Sequence, residues 1–70
     1  MTQLADGRVV TGYQRSFENN GRFYVWNPNN PDVFNLHKLD RRLGAVLGLS
    51  DGRLLVSTSG LIYVLDAAHL

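Results

Sequence analysis

The 70-residue sequence contains no cysteine, which removes disulfides and thiolate metal sites together. A chain without thiols is at home in either redox compartment. Net charge is equally scarce, +1 at pH 7, so the overall balance calls for no nucleic acid, membrane surface or acidic ligand. No apolar run approaches the roughly 18 residues of a membrane span. The opening MTQLADG lacks the basic and apolar regions of a signal peptide. A soluble chain is expected from this, with the cytoplasm slightly favoured. The two histidines, His37 and His69, have no carboxylates at a spacing that would complete a tetrahedral metal site. There is no Ser/His/Asp order, no HExxH, no phosphate-cradling glycine loop, and no carboxylate pair beside an acid-base partner. The expectation is a non-catalytic chain with no cofactor and no metal.

What the chain does contain is β-type patterning. Leu49–Asp66, LSDGRLLVSTSGLIYVLD, holds two short apolar runs joined by a Ser/Thr/Gly break and introduced by Asp-Gly. Leu4–Asn27 carries the same plan with an insertion: LADGRVVTG, a polar excursion, then GRFYVWN. Leu4, Asp6, Gly7 and Arg8 match Leu49, Asp51, Gly52 and Arg53; Gly21, Tyr24, Val25 and Asn27 match Gly60, Tyr63, Val64 and Asp66. The chain is therefore read as one β unit, with a first repeat over 4–27, a linker with extra strands over 28–48, and a second repeat over 49–66.

Strands are expected at Arg8–Tyr13, Arg22–Trp26, Asp32–Leu39, Leu43–Leu49, Arg53–Thr58 and Leu61–Asp66, with Met1–Leu4 a possible terminal edge strand. Asp6-Gly7 predicts a type I′ hairpin turn, whose two central residues both need positive φ. Gln14–Asn20 reads as a polar loop around Phe17, and Asn27–Pro31, NPNNP, as a loop too. Asp32–Leu39 also fits a helical spacing, but its length and neighbours favour a strand. Two glycines make a helix over Leu43–Leu49 costly, by about 1 kcal/mol each. Ala67–Leu70 is left as a fragment of helix or an irregular tail. With turns every 8–15 residues, the fold class is all-β, built of antiparallel sheet.

Several strands are apolar on both faces: Leu54 and Val56 oppose Leu55; Tyr63 and Leu65 oppose Ile62 and Val64; Phe23 and Val25 oppose Tyr24 and Trp26. A sheet with one wet face alternates cleanly. These strands are therefore expected to be covered on both sides, and a chain this short must take the second cover from outside itself.

A strand ending in Asp-Gly, then RVVTG or RLLVS, then Gly with FYVW-Asn or IYVL-Asp, resembles the repeat of a β-propeller, the WD-repeat type most closely. Trp26-Asn27 and Leu65-Asp66 stand where Trp-Asp closes such a blade. Asn27 and Asp66 are 39 residues apart, close to the roughly 40–45 of that repeat. The second copy also looks like quinoprotein-type propeller repeats. The Gly-His that opens a WD repeat is absent, so the wider propeller family is the better match. The resemblance implies about one and a half to two blades, completed by other copies or by a larger chain, with apolar faces stacked around a channel.

It also implies a function: an interaction module that self-associates and presents rim loops to a protein partner. Insertions between strands tend to cluster on one rim, which makes Gln14–Asn20 and Asn27–Asn30 the binding-rim candidates, with Phe17, Asn20, Tyr24, Trp26, Asn27, Asn29 and Asn30 as its residues. Tyr24 and Trp26 are read first as blade packing, and Phe17 as tucked onto the blade edge rather than exposed. Arg41-Arg42 is read as a solvated turn. The alternative function is a carbohydrate-binding, lectin-like oligomeric subunit, in which Trp26 and Tyr24 form a stacking platform beside asparagine amides. A small barrel for single-stranded nucleic acid is disfavoured by the net charge.

Overall fold

A computed structural model describes residues Met1–Leu70 as seven strands and one terminal turn: β1 Thr2–Gln3, β2 Val9–Tyr13, β3 Arg22–Asn27, β4 Asn30–Lys38, β5 Leu43–Gly48, β6 Arg53–Thr58, β7 Ile62–Asp66, and a 3-10 turn at Ala67–His69. The first four strands form one antiparallel meander and the last three a second, β5-β6-β7. The class is all-β with two antiparallel sheets. The strand expected over Leu43–Leu49 is present as Leu43–Gly48, in line with the cost its glycines set on a helix. The long NPNNP loop is corrected to a tight one: Asn27 pairs with Asn30, and β4 already includes Pro31. Proline is accommodated because β4 is an edge strand, where a missing N–H breaks no ladder.

Both Asp-Gly turns have one architecture, and it is not the expected type I′. Gly7 N–H donates to Leu4 O at 3.0 Å and Leu4 N–H to Arg8 O at 2.7 Å; Gly52 and Leu49 repeat this with Leu49 O and Arg53 O at 3.2 and 2.8 Å. Only the glycines take positive φ, +95° at Gly7 and +91° at Gly52, and no aspartate does. This is a type I turn closed by a glycine bulge, the common three-residue hairpin solution. Each aspartate then accepts from the arginine two residues on. Arg8 donates N–H to Asp6 Oδ1 at 3.1 Å and Nε–H to Asp6 Oδ2 at 2.8 Å, and Arg53 makes the same pair with Asp51.

The two sheets pack face to face around Leu4, Val10, Phe23, Val25, Leu54, Val56 and Ala67, with Leu39, Leu43, Val46, Tyr63, Leu65 and Leu70 against them. They come closest along β5, which lies over β1 and β2. At that approach Gly48 N–H donates to Thr2 Oγ1 at 2.9 Å, and a Cβ on Gly48 would sit 2.3 Å from Gln3 O.

The positions buried in the two copies are not the same. Val10 and Val25 point inward in the first sheet, whereas their counterparts Leu55 and Val64 point outward in the second. Leu54 and Val56 point inward, and their counterparts Val9 and Thr11 point outward. Two sheets related by a two-fold axis would bury matching positions twice. Here the front of one copy meets the back of the other.

Candidate functional site

Pairing and pleat together define the outer face of the four-stranded sheet. Val9, Trp26 and Phe34 lie across one row, and Thr11, Tyr24 and Leu36 across the next. Strand periodicity sends all six to the side away from the second sheet. Tyr24 and Phe34 meet edge to face, with centroids 5.7 Å apart and planes at 69°. The Trp26 indole N–H donates to Thr11 Oγ1 at 3.0 Å, which fixes the ring across the strand. With Pro31, these four side chains line an open cleft of about 380 Å³. Phe34 is 55% and Leu36 40% exposed. Contiguous apolar surface of this kind marks interaction sites in soluble proteins.

Of the five residues lining this cleft, the sequence singles out Tyr24 and Trp26 as candidates and gives no notice of Thr11, Pro31 and Phe34. The signal was present: Phe34 and Leu36 alternate in step with Tyr24 and Trp26 once β3 and β4 pair as a hairpin. On the other side of the molecule, Leu47, Leu55 and Val64 form one row of the outer face of the second sheet, and Ala45, Ser57 and Ile62 the next. This patch is aliphatic, and Ile62, Leu47 and Val64 are each more than half exposed.

The seven rim residues do not lie together. Chain direction reverses at every strand of the meander, so the loop 14–21 and the turn Asn27–Asn30 sit at opposite ends of the sheet. The expectation of a single rim is corrected on that ground. At the turn end, Asn27, Asn29 and Asn30 follow Trp26 along the chain, and Asn27 Oδ1 is engaged, accepting from Asn29 N–H at 2.9 Å. At the loop end, Asn20 is exposed, and Phe17 is 78% exposed rather than tucked in. The Arg15 guanidinium lies 5.8 Å from the Phe17 ring centre and 5.9 Å from that of Tyr13. Glu18 pairs with both Arg15 and Arg22, at 3.5 Å each; such half-exposed pairs contribute at most about 1 kcal/mol.

Arg42 is not a solvated turn residue. It is partly buried, and its guanidinium donates to the carbonyls of Arg15, Ser16 and Glu18, holding the loop in place. Gln14 completes the clamp: its Oε1 accepts from Leu43 N–H at 2.8 Å, and its amide donates to Glu18 O at 2.8 Å.

Hydrogen bonding depresses two aspartates. The Arg8 backbone N–H, with help from the guanidinium, holds the Asp6 carboxyl below its ordinary value. For Asp51 the Arg53 side chain is the main cause. Both carboxylates are spent on turns. His37 stacks on Phe23 with centroids 4.9 Å apart. No three His, Asp or Glu side chains gather in a way that would hold a metal ion, and no helix is long and apolar enough to cross a membrane. Comparison with protein-family models, with curated proteins and with solved structures finds no match for this chain.

Proposed function

We propose that this chain is a non-catalytic interaction module of β-propeller type, which self-associates through its outer sheet faces and offers its loops to a protein partner. The observation that carries the reading is the outer face of the four-stranded sheet, where Tyr24, Trp26, Phe34 and Leu36 form one open apolar surface. Only eight of the 70 residues are buried, so an isolated copy has a small core and much to gain from cover. Meandering antiparallel sheets stacked front to back agree with propeller blades, and the polar loop 14–21, clamped by Arg42 and Gln14, gives Phe17 a fixed platform for a partner.

Sedimentation equilibrium over a wide concentration range tests the self-association. A mass of several copies is expected; a species of 7.8 kDa at every concentration refutes it. For the loop, the test is cross-linking in cells. A partner lost on Phe17→Ser, with oligomeric mass unchanged, supports the assignment, and a partner retained removes it.

A second reading draws on the cleft itself. Tyr24, Trp26 and Phe34 form an aromatic wall, and Asn29 and Asn30 belong to the turn that directly precedes Pro31 of its lining, a composition that suits a sugar ring and its hydroxyls. This lectin-like function requires glycan binding that Trp26→Ala abolishes in a folded protein; a glycan array without hits dismisses it.

A further inference from the structure

Inside the chain, the face of the first sheet bearing Val10 and Val25 packs on the face of the second bearing Leu54 and Val56. The sequence counterparts of all four lie on the two outer faces. Val9 and Thr11 stand beside Tyr24 and Trp26 on one side of the molecule, and Leu55 and Val64 on the other. Each open face is therefore of the type that the opposite open face covers within the chain. We infer that copies of this chain stack head to tail, with the Tyr24–Trp26 face of one seated on the Leu55–Val64 face of the next. The stack continues an interface already made between the two sheets. This rests on the self-association proposed above and adds its polarity. A heterologous contact of this kind closes into a ring, or else runs on as a filament.

The arginines carry the same polarity. Arg8 reaches across the internal interface and donates to Ala67 O at 2.5 Å and Leu70 O at 2.8 Å. Its counterpart Arg53 is half exposed and pairs only with Asp51. The counterparts of Ala67 and Leu70 are Pro28 and Pro31. Both segments open with the same bond: Asp66 Oδ1 accepts from Ala68 N–H at 3.0 Å, as Asn27 Oδ1 accepts from Asn29 N–H. In the stack, Arg53 of one copy meets the Pro28 and Pro31 carbonyls of the next and closes their turn as Arg8 closes the 3-10 turn. The Pro28 carbonyl, which lies outside the strands, has no hydrogen-bond partner within the chain.

The absence of native cysteine makes the polarity readable. Thr11→Cys and Val64→Cys each place one thiol on one outer face, at the counterparts of the core residues Val56 and Val25. A short bis-maleimide is applied to each variant alone, to their mixture and to the double variant. Head-to-tail stacking gives covalent dimers in the mixture only, and a ladder of higher species in the double variant. Dimers in either single variant alone mean that like faces meet, and overturn the polarity. An oligomeric mass with no cross-linked product in any sample overturns it too. A monomeric mass throughout instead refutes the underlying self-association, so the two failures are distinguishable. As a second readout, Arg53→Ala weakens association about tenfold, the loss expected for a charged donor with carbonyl acceptors. Unchanged association in that variant rejects the arginine contact.

Discussion

Replacing Gly48 by alanine probes the closest approach between the two sheets. Gly48 has an ordinary negative φ, so alanine meets no backbone strain, and by itself would stabilise the fold by about 0.4–1 kcal/mol through the unfolded chain. The added Cβ, however, would lie 2.3 Å from Gln3 O and 3.1 Å from Gln3 C. Both are backbone atoms of β1 and cannot rotate away. Relief requires β5 to move off β1, which weakens the Gly48 N–H to Thr2 Oγ1 bond and loosens the packing that β5 maintains. Overpacking of this sort costs about 1–3 kcal/mol, leaving a net loss of about 1–2 kcal/mol. For a domain of this length that lowers the melting temperature by roughly 5–15 °C. Gly12→Ala is the control, because its Cβ would meet only the tip of the Leu43 side chain, at 2.6 Å, which can turn aside. Far-UV circular dichroism melts of the three proteins at one concentration give the comparison. Gly48→Ala melting at or above the parent temperature, or below it by no more than Gly12→Ala, would refute the sheet-to-sheet geometry.

Arg8→Ala removes two carbonyl contacts across the sheets along with the Asp6 pair, so it is expected to cost about 1–2 kcal/mol in urea unfolding, and equal stability to the parent would deny that cross-link. Acid titration is expected to weaken the fold. Because the Asp6 and Asp51 carboxyls are held below their ordinary values, their contribution is present above the unfolded-state value and is lost as pH falls through the folded one. Urea midpoints recorded down the acid range should drop for the parent and drop less for the Asp6→Asn, Asp51→Asn double variant; parallel curves would rule the turns out as the cause. Phe23→Leu leaves a smaller side chain at a fully buried site and ends the stack on His37. A loss of about 1–2 kcal/mol is expected from differential scanning calorimetry, and a neutral result would displace Phe23 from the centre of the core.

Local patterning reached most of the fold. The apolar and β-branched runs at Arg8–Tyr13, Arg22–Trp26 and Arg53–Thr58 became strands, and the glycines of Leu43–Leu49 were enough to choose strand over helix. Turn chemistry was legible only to the level of position. Asp6-Gly7 marks a hairpin in either form, and what selects the bulged type I turn is the Gly7 N–H to Leu4 O bond, which depends on where β1 ends. Pro31 looked like loop because the sequence does not say that β4 lies at an edge. Kinship between the copies puts the two insertions on one rim, whereas strand direction separates them. Counting reversals from β2 puts 14–21 and 27–30 at opposite ends. Phe17 and Arg42 exchanged the environments expected of them, since clamping of the loop depends on carbonyls that converge only after folding. The aromatic face was half visible at Tyr24 and Trp26, and its other half needed the β3–β4 register.

Cover of each outer face by another copy, as proposed, would be reported by the single tryptophan. Trp26 lies on the outer face of the first sheet, whereas Val64 lies on the outer face of the second, on the far side of the same molecule. Within one copy, a charge at position 64 has no route to the indole. Acrylamide quenching of Trp26 in the parent and in Val64→Asp is the direct measurement, with circular dichroism confirming that both are folded and Ile62→Lys as a second disruption of the same face. The tryptophan should be shielded in the parent and become open to quencher in both variants as the mass falls to that of one chain. Equal quenching in all three folded proteins would contradict the account.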